Sequence, residues 1–394
     1  MKHSLISVID SVYPEAIKLR RELHRNPELS GEEFETAKFI HRYLTGLGLK
    51  PHYHVHKTGV TARIVNGRGK TVVLRADTDA LPIDEHTNLP FKSTHSGIMH
   101  ACGHDMHTAC LLAAAKVLCS VKDLWKGTIV VLFQPSEEVA PGGALPMIQE
   151  KAFPEKVDAV FGLHVSTDHA AGQVGIKPGR DYAGVMDFDV RITGRGGHGA
   201  TPHMTDDSIV SACSVILALQ TLVSRECPSW EPSVLSVGSL HAGNKHNIIP
   251  QEAVFSGTVR TFSEEHQQFL ERRIKEIVTT IALSHNTRGA CTFIHSYPPG
   301  HNDEHLTQCS IQGLSELLGP QNIIIRTIPT MFAEDFAYYQ QKAPGLYVHL
   351  GVNKPGTRQH PGIHSPNFLP DERALRTGIA VQAGLAIHFL KDNC

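Results

Sequence analysis

The sequence predicts an α/β protein: a catalytic domain on a mostly parallel sheet with helices on both faces, interrupted by an inserted ferredoxin-like (βαββαβ) α+β domain. Three observations carry this. Continuous apolar strands alternate with helices over the first 170 residues or so, as a parallel sheet requires. The middle of the chain then changes to strands that alternate apolar and polar residues. Finally, 394 residues are many for one hydrophobic core.

Taken in order, Ser30 to Glu33 ("SGEE") reads as a capping box. Phe34, Ala37, Ile40, Leu44 and Leu47 then repeat at helical spacing. "TVVLRADTDALP" (71–82) is a buried strand running into a loop, and "HTACLLAAAKVL" (107–118) a buried helix. "GTIVVLFQPSEE" and "AVFGLHV" (159–165) are strands with polar ends. Ligands of open α/β sheets gather at the carboxyl ends of strands. Asp77, Glu137, Glu138 and His164 fall there.

"DFDVRITG" (187–194) opens the second pattern: a half-exposed strand, a helix over about 207–226, the strands "SVLSVGSL" and "AVFSGTVRTF", a long helix over about 264–286, and the strand "CTFIHSY". Residues 186–297 are therefore read as the insert, and 1–185 with 298–394 as the catalytic domain. The chain closes with "GLYVHLGV" and a helix over 371–390.

Lys and Arg number 37 against 39 Asp and Glu, a balance with no basic field, so neither nucleic acid nor an anionic membrane is an expected partner. No segment approaches ~20 apolar residues. The N-terminal residues do not make a signal peptide, because Asp10 breaks the apolar run and no small-residue cleavage site follows. Eight cysteines form no CxxC pair and no regular framework, which suits reduced thiols and a cytoplasmic location.

The chemistry concentrates in "HACGHDMHTA" (100–109). Cys102 and His104, one residue apart, can aim at one point, and a thiolate with an imidazole suits zinc and its neighbours. The bland alternative is a buried free cysteine beside a helix start. "QPSEE" adds two adjacent carboxylates after a buried strand, costly to place in an apolar site without a cation. Glu138 then fits as metal ligand and Glu137 as general base, although a solvated Glu-Glu turn is common. His164 and His364 lie in two further segments. Either alone reads as structural; four segments converging on metal-type ligands do not.

Together "LRADTDALP", "HACGHDMHTA", "PSEE", "GLHV", "GRGGHGATPH", "NIIP" and "HSPNF" resemble the dinuclear metallo-amidohydrolase family. That family includes hippurate hydrolases, N-acyl-amino-acid deacylases (aminoacylases) and hydrolases of indoleacetyl-amino acid conjugates. The carboxypeptidase G group is more distant. The resemblance runs through nearly the whole chain in order. It implies hydrolysis of the amide bond of an N-acyl amino acid, one or two divalent ions (zinc, manganese, cobalt or nickel), and an insert serving as lid or dimerisation domain. A homodimer is the implied assembly, with a tetramer as alternative. It also implies that Cys102, His104, Glu138, His164 and His364 hold metal, that Glu137 is the base, and that His198 polarises the scissile carbonyl.

Asn247, Arg260 and Glu334 are the substrate-binding candidates; an arginine suits a carboxylate. The distant relatives carry His-x-Asp where this chain has Arg75-Ala-Asp77. Asp77 is therefore expected behind a ligand imidazole, with Asp105 its rival for a place on the metal. The competing functions are a metallo-dipeptidase or carboxypeptidase of the same fold, a non-catalytic binding protein, and a non-haem iron oxygenase.

Overall fold

The computed structural model describes residues 2–356 and 361–391. The chain divides into two compact units. One comprises Met1–Gly179, His301–Pro329 and Asp335–Cys394; the other comprises Arg180–Gly300 and Thr330–Glu334.

The first unit is built on an eight-stranded sheet. Its order is His52–His54, Gly59–Asn66, Gly127–Gln134, Thr71–Asp77, Ala159–Ala170, Gly345–Asn353, Val174–Ile176, Ile323–Ile325. The four strands from Gly127–Gln134 to Gly345–Asn353 are mutually parallel. They read as apolar runs because both faces are covered. The first two strands pair antiparallel at one edge.

Val72, Leu74, Phe161, Leu163, Val348 and Leu350 join one core with the helices Lys2–Arg25, His104–Ser120 and Ala374–Leu390. On the opposite face Gly162 and Tyr347 meet Phe336, which packs on Tyr339 of the short helix Ala337–Gln340. The long helices thus take one face and short segments the other.

The helix Phe34–Gly46 begins without the expected capping box. Glu33 occupies the N-cap with no side-chain cap bond. The Ser30 hydroxyl donates instead to Asp79 at 2.6 Å, and Glu33 accepts the Ser136 N–H at 2.7 Å. Buried groups from other segments outcompete the local pairing.

The second unit carries a four-stranded antiparallel sheet, in the order Val234–Ala242, Glu252–Thr261, Gly184–Thr193, Arg288–Tyr297. Its helices are Ser208–Thr221 and Glu264–Ser284, so the chain order is β-α-β-β-α-β. Asp207 and Ser263 cap these helices through their side chains. Phe188, Val190 and Phe255 of the sheet pack on Val215, Leu219, Ile274 and Val278.

Contrary to the expectation from hydropathy, the stretch Ser208–Glu226 has the length and composition of a membrane span. The packing gives its apolarity a different origin. Ala212, Val215 and Leu219 fill the unit's core, while Val210 and Leu217 stay exposed.

Candidate metal centre

The strand ends of the first unit bring six predicted residues together: Cys102, His104, Glu137, Glu138, His164 and His364. Cys102 Sγ lies 3.4 Å from His164 Nε2 and 3.3 Å from His364 Nε2. Glu138 Oε1 lies 3.8 Å from His104 Nε2 and 3.3 Å from His364 Nε2. Ligand atoms of Cys102, His104 and His164 all lie within 4.8 Å of one another. The same holds for Cys102, Glu138 and His364, and for His104, Glu137 and Glu138.

Local geometry places these groups. Gly103 starts the helix His104–Ser120 at φ 83°, a left-handed conformation that favours glycine, and a Cβ there would lie 2.6 Å from Val165 Cγ2. The chain therefore turns sharply between Cys102 and His104, aiming both at one point. Ser136 has φ 56° and His364 φ 62°, non-glycine left-handed residues of the kind that collect at functional sites.

The residues fit a cation. His104 Nε2 and Glu138 Oε1 are buried with no hydrogen-bond partner. Burial pushes the Cys102 thiol well above its ordinary range, and Glu138, Glu137 and Asp77 push it further. A divalent ion is what would convert such a thiol to a thiolate ligand. Burial opposes charge on His104, yet Asp77, Asp79 and Glu138 hold its pKa up at about 10. The field that holds a proton there would hold a metal. Burial, helped by His107, drops His164 well below the usual histidine range. Its Nδ1–H donates to the Val165 carbonyl at 2.7 Å, so Nε2 presents a lone pair toward Cys102.

The supporting carboxylates are distributed differently from the sequence expectation. Asp77 was expected to orient a ligand histidine. Its Oδ1 meets His107 Nδ1 at 2.5 Å and its Oδ2 accepts from Arg75 at 2.6 Å. His107 Nε2 accepts the Val165 N–H at 2.9 Å, so its proton is on Nδ1 and neither nitrogen is available to metal. Asp77 stands 3.8 Å from His104 Nε2, while the residue that meets His104 Nδ1, at 3.2 Å, is Asp79.

Asp105 is not a rival ligand. Its Oδ2 accepts from Arg20 Nε at 2.7 Å and pairs with His24 Nδ1 at 2.9 Å. Arg75, in the place of the distant relatives' histidine, is fully buried and also donates to Gln134 and Asp335.

Sequence reasoning missed Asp79 and Glu33. Both are buried, and they hold the "PSEE" loop from behind: Glu33 accepts the Ser136 N–H at 2.7 Å, and Asp79 the Glu138 N–H at 3.0 Å. Burial, then the charge of Asp79, raises the Glu33 carboxyl to about 7. The second aspartate of "RADTD" was the available signal; Glu33 offered none, being read as part of a cap.

Four sequence candidates belong to the second unit. His198 lies on the short strand Gly197–His198, paired with Ile248–Ile249. It is exposed, and its Nδ1 accepts the Ala200 N–H at 3.0 Å. Asn247 adjoins it, its carbonyl accepting the Gly199 N–H at 2.9 Å. The glycines here admit the unit's own backbone: a Cβ at Gly194 would lie 2.0 Å from the Asp206 carbonyl oxygen. Arg260 sits on Glu252–Thr261 opposite Val185, and Glu334 is buried in Thr330–Glu334.

Residues 73–388 match the profile of peptidase family M20/M25/M40. The chain is similar to IAA-amino acid hydrolase ILR1-like 2 of Arabidopsis thaliana, at 38% identity over 97% of this chain and 87% of the relative. It is similar to N-acetyl-L-cysteine deacetylase of Bacillus subtilis, at 40% identity over 93% of this chain and 86% of the relative. A crystal structure from Bacillus subtilis, described as a dinuclear metal binding peptidase from the M20 family, superposes with TM-score 0.84 at 34% identity, over 97% of this chain and 99% of that one.

Proposed function

This chain belongs to peptidase family M20/M25/M40, and we propose that within it the protein is a metal-dependent amidohydrolase cleaving N-acyl amino acids to a carboxylate and a free amino acid. The observation that carries this is the pairing of Glu137 with Glu138. Both reach the same buried cluster, yet binding a metal needs only one of them. The relatives named as hydrolases of an indoleacetyl-amino acid and an N-acetyl amino acid support the substrate class.

Cys102, His104, Glu138, His164 and His364 would hold the metal. Cys102 and Glu138 each belong to two of the candidate ligand groups and His104 to three, so these residues would hold one or two ions. The thiolate, imidazole and carboxylate donors admit zinc, manganese, cobalt or nickel. Bound there, a divalent ion would acidify water toward a pKa of ~7 and polarise the substrate carbonyl. Glu137 takes the proton of the attacking water and delivers it to the leaving nitrogen, as a base and then an acid. Asp79 and Glu33 hold the loop that carries it. His198 is assigned to the developing oxyanion. Asn247, Arg260 and Glu334 are assigned to substrate binding.

The second unit serves as lid and dimerisation domain in this proposal, and the protein as a homodimer in the cytoplasm. The exposed Val210 and Leu217 on the helix Ser208–Thr221 support a self-association face.

The test is amine release from hippurate, N-acetyl-methionine and an unblocked dipeptide, using chelator-stripped protein before and after each metal is returned. Metal-restored cleavage of the acylated compounds is expected. Cleavage of the dipeptide alone would make this a peptidase, and silence on all three with metal bound would leave a binding protein.

A further inference from the structure

The loop that carries Glu137 and Glu138 leaves the strand Gly127–Gln134 and ends where the short helix Ala144–Gln149 begins. Both of its ends meet one carboxylate. Gln134 Nε2 donates to Asp335 Oδ1 at 2.9 Å and to Oδ2 at 2.7 Å. The Ala144 N–H donates to Asp335 Oδ2 at 2.9 Å. Arg75 Nη2 donates to Asp335 Oδ1 at 2.8 Å, and Arg75 Nε donates to Gln134 Oε1 at 2.9 Å. Asp335, Gln134 and Arg75 are fully buried, so these bonds form away from competing water. With donors on both oxygens and a guanidinium beside it, Asp335 is unsuited to hold a metal.

Glycine makes room for this closure. Gly142 has φ 79°, and a Cβ there would collide with Asp335 Oδ2. A Cβ at Gly143 would collide with the Pro135 carbonyl oxygen, so the two ends of the loop touch. Between them Glu33 accepts the Ser136 N–H and Asp79 the Glu138 N–H. The Glu137 carboxylate lies within 4.8 Å of ligand atoms of His104 and Glu138 on one side. On the other it lies within 4.8 Å of an Asp335 oxygen. It therefore stands between the metal centre and Asp335, and the like charge of Asp335 favours its turning toward a cation.

A general base works only from the right place: a displacement of ~1 Å can cost about 100-fold in rate. We propose that Asp335, charge-balanced by Arg75, is a positioning residue for Glu137, closing its loop at both ends and backing its carboxylate against the metal centre. This rests on the amidohydrolase reading and adds to it a residue that acts through the base.

The test uses metal-loaded protein and whichever of hippurate and N-acetyl-methionine the wild type cleaves faster. Turnover is normalised to folded protein by circular dichroism and to bound metal by mass spectrometry. In Asp335→Asn an amide accepts only at its one oxygen, so Arg75 or Ala144 loses its acceptor. Gly142→Ala moves the same end of the loop and changes no charge. Both are expected to lower kcat about 10- to 100-fold, with KM and metal content near wild type. Arg75→Lys keeps the charge without the fork and should fall between wild type and Asp335→Asn. The deciding measurement is the single-turnover rate of Asp335→Asn in a Glu137→Gln background. Residues that act as a unit are not additive, so the second substitution should cost less than about threefold there. The full loss repeated in that background would give Asp335 a role in the fold at large and overturn the proposal. Normal kcat in both Asp335→Asn and Gly142→Ala, or a loss confined to KM or metal content, would overturn it as well. A wild type that cleaves neither compound overturns the amidohydrolase reading, and this role with it.

Discussion

At the residue scale, the proposed function gives the two neighbouring glutamates separable duties. Glu138 has an unpartnered buried oxygen near His104 and His364, whereas Glu137 needs only to reach the water. Glu137→Gln is expected to lower kcat about 100- to 10,000-fold, the range for loss of a general base, with metal content by mass spectrometry unchanged. Normal turnover in this variant would remove Glu137 from the mechanism. Asp79 acts through His104. With Asp79→Asn the imidazole loses its charged partner on Nδ1, and metal affinity in a chelator competition should fall about 10- to 100-fold. The same substitution at Asp77 removes a charge 3.8 Å from His104 Nε2 and the hydrogen bond to His107, but no hydrogen bond to the His104 imidazole, so its effect on affinity should be the smaller of the two.

At the scale of elements, the helix that begins with His104 is locked to the N-terminal helix through Asp105. Arg20 and Asp105 are fully buried partners, with His24 on the same carboxylate oxygen. Arg20→Ala strands that carboxylate and should cost about 3–5 kcal/mol in denaturant unfolding, as breaking a buried pair does. Burial opposes the Asp105 charge, but Arg20 and His24 hold its carboxyl well below the ordinary 3.8. A folded-state pKa below the unfolded one gives stability that is present above about pH 4 and lost as pH falls beneath it. Asp105→Asn should therefore flatten the acid limb of a stability-versus-pH curve. An unchanged limb would place the acid sensitivity elsewhere.

On the scale of the whole molecule, the second unit buries one side of the helix Ser208–Thr221 and leaves Val210 and Leu217 in solvent. If that face joins two copies, Leu217→Glu should convert a dimer to a monomer in light scattering while leaving the unit folded. A dimer that survives the charge would move the interface to another surface.

Much of this was legible beforehand, for reasons tied to particular residues. The parallel strands announce themselves because burial on both faces demands continuous apolar runs such as "TVVL" and "IVVLF". The candidate ligands were legible because Cys102-x-His104 and Glu137-Glu138 are chemically expensive wherever no cation meets them. The supporting contacts were not. Ser30 and Glu33 form a plausible local cap, and only the approach of Asp79 and Ser136 from distant segments redirects them. Asp77, Asp79 and Asp105 are the same side chain within thirty residues. Whether each faces His107, His104 or Arg20 depends on which helix end and strand end meet. The sequence by itself determined the alternation of elements and the donor set, because periodicity and the cost of burying charge are local properties. Tertiary structure alone decided which carboxylate serves which imidazole, because those pairings join residues far apart in the chain, Asp79 and His104 by 25 positions and His24 and Asp105 by 81.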